Sequence, residues 1–110
     1  MASEKTLREV CENLNITRRV VQGYEKAGLV HATGKNKYGH LLYDEETQNR
    51  IARIRFYQSM GFRLKEIKVL TEVSREEAIR MIQKQKDHLT AERNGIEKII
   101  KQVEILLSDF

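Results

Sequence analysis

Along most of this chain apolar residues recur at spacings of three and four, the signature of amphipathic helices. Leu7, Val10, Cys11 and Leu14 give the first such stripe. Thr6 and Glu9 stand at its start in capping-box spacing, so the first helix is expected to begin at Thr6. Asn13 to Ile16 is expected to turn, with Leu14 and Ile16 pointing inward. Thr17 then caps a second helix with Val20, Val21, Tyr24 and Ala27 on its inner face, and Arg18, Arg19, Gln22 and Lys26 on its outer one. Gly28 is placed to end it in the left-handed conformation, followed by the apolar pair Leu29-Val30. Between residues 31 and 43 the helical rhythm stops. Thr33 to Gly39 is polar, basic and glycine-rich, and it is bracketed by Leu29-Val30 and by Leu41-Leu42-Tyr43, which predicts a small β-hairpin. Asp44 caps a third helix, with Glu45 and Glu46 near its positive end. Ile51, Ile54, Arg55, Phe56, Tyr57 and Met60 fill it and Gly61 ends it. After Phe62-Arg63, the residues Leu64, Ile67, Val69 and Leu70 define a fourth helix of about two turns.

Ser74 and Glu77 form another expected capping box. It opens a proline-free periodic segment in which Ile79, Ile82, Lys86, Leu89, Arg93, Ile96, Ile100, Val103, Leu107 and Phe110 alternate at three and four. That heptad register holds for roughly four repeats and predicts a helix about 50 Å long. Such a helix cannot bury its stripe on a small N-terminal part alone. Self-pairing is therefore expected, in preference to a solvated arm docked on its own chain. The dimerisation seam is Ile82, Leu89, Ile96, Ile100, Val103 and Leu107. Lys86 and Arg93 fall at seam positions, and in an antiparallel pair they could meet Glu92 or Glu97 of the other copy. Gly95 is the weak point of this helix, costing roughly 1 kcal/mol relative to alanine. The expected fold is mainly α: a winged helix-turn-helix unit over residues 1–73, then an antiparallel coiled-coil dimerisation helix over residues 74–110.

The formal charge of +4 sharpens this division. Residues 1–73 carry 13 Lys and Arg against 9 Asp and Glu, whereas residues 74–110 carry 7 of each. The whole excess lies in the N-terminal unit, where a polyanion would be drawn. Cys11, the single cysteine, sits in an apolar helical pattern and reads as a buried thiol rather than a redox or metal group. No signal peptide or membrane-spanning run is evident, so a cytoplasmic protein without membrane partners is expected. No nucleophile–base pair, phosphate-cradling glycine loop or metal-ligand cluster marks an enzyme, and no cofactor is expected.

A helix pair whose second helix carries cations on its first turn is suited to the DNA major groove. Arg19, and after it Arg18, can offer a guanidinium to guanine O6 and N7, and Gln22 can read adenine. Thr17 can cap its helix and also donate to a phosphate. Lys35, Lys37, Tyr38 and His40 would grip the flanking backbone from the hairpin, and Arg63, with Lys65 after it, from the connection between helices three and four. Tyr24 is expected in the core, and Arg53 and Arg55 at an interdomain or plain surface. Gly23 either costs its helix roughly 1 kcal/mol or admits close backbone approach by another element.

The order of these elements resembles that of the MerR-type transcriptional regulators, and four motifs carry the resemblance. Ile16-Thr17-Arg18-Arg19-Val20-Val21 stands where that family has a hydroxyl cap and a basic recognition turn. Tyr24-Glu25-Lys26-Ala27-Gly28-Leu29-Val30 is similar to its Tyr-Glu-Arg/Lys-x-Gly-Leu-Leu/Ile. Tyr38-Gly39-His40-Leu41-Leu42-Tyr43-Asp44 is similar to its Asn-Gly-Tyr-Arg-x-Tyr-Ser/Asp wing end. Met60-Gly61-Phe62-Arg63-Leu64-Lys65-Glu66-Ile67 is similar to its Leu-Gly-Phe-Ser-Leu-x-Glu-Ile. The resemblance implies a homodimer that binds a pseudo-palindromic operator in double-stranded promoter DNA, with RNA polymerase on the same promoter, and that acts by bending and undertwisting that DNA. The chain departs from the pattern at Gln22-Gly23, at His40-Leu41 and at His31-Ala32, where the family usually has Arg-Tyr, Tyr-Arg and a proline. The cysteines of metal-sensing relatives and the C-terminal ligand domain of drug-sensing ones have no counterpart here. Two other readings compete: an excisionase-like accessory protein that bends DNA without a transcriptional role, and an interaction module whose winged unit has lost DNA.

Overall fold

A computed structural model describes residues 4–110. Residues 1–3, the start of the expected N-terminal unit, lie outside the described residues. The elements run β1 (Lys5–Thr6), α1 (Leu7–Leu14), α2 (Arg18–Lys26), β2 (Gly34–Lys35), β3 (Leu41–Tyr43), α3 (Glu45–Ser59), α4 (Leu64–Glu72) and α5 (Arg75–Ser108). They divide into two compact units, Met1–Glu72 and Val73–Phe110.

Local chemistry sets the helix boundaries of the first unit. The Thr6 hydroxyl accepts from the Glu9 N–H while the Glu9 carboxylate accepts from the Thr6 N–H, completing the capping box of α1. That pairing also holds the Glu9 carboxyl below the ordinary carboxylate range. Asn15 ends α1 in the left-handed region at φ 54°, a conformation asparagine tolerates better than most residues. The turn into α2 is therefore tighter than expected, since Asn13 and Leu14 still belong to the helix. Thr17 caps α2 through the Val20 N–H. At its other end the Gly28 N–H donates to the Glu25 carbonyl and the Leu29 N–H to the Tyr24 carbonyl. With Gly28 at φ +76°, this is the Schellman ending, and buried Leu29 supplies its apolar contact. Asp44 caps α3 through Thr47, whose hydroxyl and N–H keep the Asp44 carboxyl low.

One core unites these pieces. Val10, Ile16, Val21, Tyr24, Leu29, Val30, Tyr43, Ile51, Ile54, Phe62 and Ile67 are buried together, with Leu7, Cys11, Leu14, Val20, Tyr57 and Met60 packed against them. Burial raises the pKa of the half-buried Cys11 thiol. Two tyrosines do more than fill space. The Tyr24 hydroxyl, on α2, donates to Gln58 Oε1 on α3 at 2.6 Å, and the Tyr43 hydroxyl, on β3, donates to Glu25 Oε1 on α2 at 2.7 Å. Burial raises the pKa of both phenols, and for Tyr43 the bond to the Glu25 carboxylate adds to the rise. Among the described residues no buried side-chain polar atom lacks a partner.

The sheet adds a strand that the apolar pattern did not suggest. Its order is β1-β3-β2, all antiparallel, with Lys5 opposite Tyr43 and Thr6 opposite Leu42 on one side, and Gly34 opposite Leu42 and Lys35 opposite Leu41 on the other. The incoming arm of the hairpin is Gly34–Lys35 rather than Leu29-Val30, because that pair is consumed by the core. Not every apolar residue is inside: Phe56 on α3 and Val69 on α4 are exposed.

Unit two is the single helix α5. Ser74 caps it through the Glu77 N–H, but the Glu77 carboxylate pairs with Arg80 instead of returning to Ser74, so only half of the expected box forms. None of its residues is buried. The expected seam residues Ile82, Leu89, Ile96, Ile100, Val103 and Leu107 are 44–72% exposed. Phe110, the last residue of the expected three-and-four alternation, lies beyond the helix end at Ser108 and is fully exposed.

Two substitutions test this account. Gly28→Ala places a Cβ in a left-handed residue and 2.9 Å from Lys68 Nζ, whose ammonium lies at the carbonyl end of α2. A loss of about 1–2 kcal/mol in urea unfolding is expected, and an unchanged midpoint would refute it. Tyr43→Phe removes a hydrogen bond to a carboxylate and is expected to cost about 1–2 kcal/mol at pH 7. Its raised phenol pKa favours folding fully below the unfolded tyrosine value near 10, and that contribution is lost as pH climbs above it. Unfolding followed from pH 8 to 11 should therefore fall more steeply in the wild type than in Tyr43→Phe.

Candidate nucleic-acid interface

The expected contact residues lie in three groups, all on the first unit. Thr17, Arg18, Arg19 and Gln22 occupy the start of α2, and each is exposed. The amphipathic sequence of α2 produces this: Val21 and Tyr24 are drawn into the core, and the intervening residues are left outward. The Thr17 hydroxyl accepts from the Val20 N–H at 3.2 Å, which leaves its own O–H free to donate. No acidic residue lies in the first turn of α2. The ion pairs of the described residues join Arg8 to Glu12, Arg50 to Glu46, Arg80 to Glu77, His88 to Glu92 and Arg93 to Glu97. None of them involves Arg18, Arg19, Lys35, Lys37 or Arg63. The cations expected to meet DNA thus have no internal ion pair, a state they share with most lysines and arginines of this unit. A cation not held by a carboxylate remains available to a phosphate.

The second group is the hairpin tip, which has a defined architecture. The Gly39 N–H donates to the Asn36 carbonyl at 3.0 Å and the Asn36 N–H to the His40 carbonyl at 2.9 Å. The Asn36 side-chain oxygen accepts from the N–H groups of Tyr38 and His40, both at 3.0 Å. Gly39 takes φ +82°. These bonds describe a three-residue loop: a type I turn closed by a left-handed glycine. Asn36 was not among the expected site residues, although asparagine at the first turn position with glycine three residues on is a readable signal. The turn gathers Lys37, Tyr38 and His40. Lys37 Nζ sits 5.2 Å from the Tyr38 ring centre, and the Tyr38 and His40 rings lie 6.4 Å apart. Tyr38 is 72% exposed, so this cation and these rings form a platform facing solvent. Lys35 lies on β2 beside it, and Leu41 stands exposed at the start of β3, where the family pattern has an arginine. At the base of the hairpin the Thr33 hydroxyl accepts from the Asp44 N–H at 2.7 Å, and Gln48 Nε2 donates to the Tyr43 carbonyl at 2.7 Å. The wing is thereby fastened to the start of α3.

Arg63 forms the third group by itself. Its backbone N–H donates to Glu66 Oε1 at 2.9 Å, while its carbonyl accepts from the Ile67 N–H. It stands at the cap position of α4, where the family pattern has serine. The carboxylate half of a capping box is present and the hydroxyl half is replaced by an outward cation.

A Cβ added at Gly23 would meet nothing within 4 Å, so no other described element approaches it, and of the two expected readings the cost to the helix is the one left. Arg53 lines an open cleft of about 510 Å³ with Arg50, Lys68, Thr71 and Glu72. Arg55 lies near the buried Tyr24 phenol and opposes its rise in pKa. Among the described residues no group of three or more His, Cys, Asp or Glu is placed to hold a metal ion, and no helix is long and apolar enough to cross a membrane.

Comparison with known proteins places this arrangement. Residues 5–73 match the sequence profile of the MerR HTH family regulatory proteins. The nodulation protein NolA of Bradyrhizobium diazoefficiens is 38% identical over 60 residues, covering 54% of this chain and 25% of NolA. This chain therefore spans about a quarter of that relative's length. Among solved structures, a MerR family transcriptional regulator from Bacillus cereus superimposes with a TM-score of 0.82 over 97% of this chain and 82% of its own, at 23% identity. HiNmlR, a MerR family regulator lacking the sensor domain and bound to promoter DNA, gives 0.69 over 89% of this chain and 79% of its own, at 18% identity. These likenesses establish the fold, and with the profile spanning most of the chain, the protein belongs to the MerR HTH family of regulatory proteins.

Proposed function

We propose that this chain is a DNA-binding transcriptional regulator that works as a homodimer in the cytoplasm. Each α2 enters a major groove of a pseudo-palindromic promoter operator. The observation that carries the reading is the unpaired Arg18 and Arg19 on the exposed first turn of α2, beside a wing tip whose Lys37, Tyr38 and His40 face solvent. Arg19 takes a base or a phosphate, with Arg18 second and Gln22 one turn on. Thr17, Lys35, Lys37, Tyr38, His40 and Arg63 hold the backbone and fix the register. The DNA-bound family neighbour that lacks a sensor domain supports a unit of this kind binding DNA with no ligand domain attached.

Pairing follows from α5. A 34-residue helix with no buried residue has no internal packing to hold it, and helices draw most of their stability from packing. Its exposed stripe is complementary to a second copy, and an antiparallel pair would separate the two α2 helices by a fixed distance. Binding at that spacing bends and undertwists the promoter, which RNA polymerase shares, so the deformation energy of the DNA is part of the regulation.

The deciding experiment is fluorescence anisotropy of the chain on a duplex from upstream of its own coding sequence, against a scrambled duplex, at several salt concentrations. Preference for the native duplex with a steep salt slope is expected. Arg19→Ala should lose about tenfold or more on the native duplex, the range for one well-placed arginine pair. Equal weak binding to both duplexes would remove the operator reading and favour an accessory DNA-bending role. Ile100→Glu should convert a dimer into a monomer in sedimentation velocity, and a wild-type chain that sediments as a monomer would sink the pairing.

A further inference from the structure

Asn36 opens the hairpin loop, and nearly all its polar groups are spent inside that loop. Its backbone N–H donates to the His40 carbonyl at 2.9 Å, and its carbonyl accepts from the Gly39 N–H at 3.0 Å. Its side-chain Oδ1 accepts twice, from the N–H groups of Tyr38 and His40, both at 3.0 Å. A carboxamide oxygen has two lone pairs, so Oδ1 is fully used. The orientation of the amide follows, because the reverse one would set its N–H groups against two N–H donors. What remains is Nδ2 with its two hydrogens, and no described residue accepts from it. No buried side-chain nitrogen or oxygen among the described residues lacks a partner, so this nitrogen is open to solvent.

The loop alone does not ask for that nitrogen. The first position of such a turn takes aspartate, asparagine or serine, and each supplies an acceptor for the N–H groups ahead of it. Only asparagine closes the loop and also turns a neutral donor outward at a fixed angle. The setting is cationic. Lys35 and Lys37 flank Asn36 and are exposed, and neither joins an ion pair among the described residues. Aspartate would cancel one of these charges, and serine would have no donor reaching past the loop. A donor already held in place loses little freedom on engaging a ligand, and side-chain amides are common partners of phosphate oxygens.

We propose that Asn36 is a DNA-contact residue of the wing: Oδ1 closes the loop, and Nδ2 donates to a phosphate oxygen beside those met by Lys35 and Lys37. The inference rests on the DNA-binding reading above and adds to it a contact that carries no charge.

That lack of charge gives the test its signature. Asn36→Ser, Asn36→Asp and Lys37→Ala are compared with the wild type on the native upstream duplex by anisotropy across a salt series. Asn36→Ser should move the thermal midpoint by no more than about 4 °C. It should bind about tenfold more weakly at every salt concentration, with the slope of log K against log salt unchanged, because a neutral donor releases no counterion. Lys37→Ala should instead lower that slope by roughly one. Asn36→Ser binding as the wild type does would leave Asn36 a turn residue only and overturn the contact. Weaker binding with a lowered slope overturns it too, since Asn36 would then act only by ordering the cations. Should serine disturb the loop, Asn36→Asp decides, because its carboxylate keeps both accepted bonds: wild-type affinity, or a deficit that disappears at the upper end of the salt series, overturns the proposal. A wild-type chain that binds neither the native nor a scrambled duplex overturns the DNA-binding reading and this contact with it, and is recognised before any variant is compared. Equal binding to both removes only the operator, and the phosphate contact is then read on either duplex.

Discussion

The placement of α2 is the constraint on which the rest of the first unit depends, and two phenol hydroxyls set it. Tyr24 reaches from α2 to Gln58 on α3, and Tyr43 reaches from β3 back to Glu25 on α2. A nine-residue helix cannot hold an orientation by itself. Burial of Val21 and Tyr24 sets its depth and the face it turns inward, and the two directional hydrogen bonds pin that rotation more narrowly. Because Tyr43 belongs to the wing strand, its bond to Glu25 also sets the wing relative to α2. The recognition-like helix and the hairpin are coupled through one carboxylate.

This arrangement gives the Tyr24-Glu25-Lys26-Ala27-Gly28-Leu29-Val30 stretch a physical meaning. Tyr24 and Glu25 are the two anchors, Gly28 supplies the left-handed ending, and Leu29 and Val30 fall into the core. Apart from exposed Lys26, the motif is scaffold. The outward residues that would touch DNA fall before it, at Thr17 to Gln22, and after it on the wing. The departures at Gln22-Gly23 and His40-Leu41 lie on those outward surfaces, so they alter contacts without disturbing the anchors. A chain can in this way keep the fold while its contact surface changes.

Elements governed by nearest neighbours in sequence were legible, and those governed by distant ones were not. Thr6, Thr17, Asp44 and Ser74 announce the helix starts because a cap needs only a hydroxyl or carboxylate and the N–H groups one turn on. Gly28 announces an end for an equally local reason. Strand β1 was invisible: two residues, Lys5 and Thr6, carry no periodicity, and they become a strand only because β3 presents a free edge to them. The Tyr43–Glu25 and Tyr24–Gln58 bonds span 18 and 34 residues and leave no mark in local spacing. Even a local rule can lose to a nearer competitor. Glu77 has the spacing for a capping box with Ser74, yet Arg80 takes its carboxylate, since a charged partner one turn on outbids a neutral N–H.

The two units present opposite problems. The first has a satisfied core and an excess of unpaired cations, a charge that counter-ions or a polyanion would offset. The second is neutral overall and has no core, so apolar contact is what it lacks. On the proposed reading, DNA would meet the first requirement and a second copy of the chain the second. In such a pair Lys86 and Arg93, which interrupt the apolar stripe, would trade some affinity for register, because a cation buried in a seam tolerates few partners whereas isoleucine and leucine slide past one another at little cost.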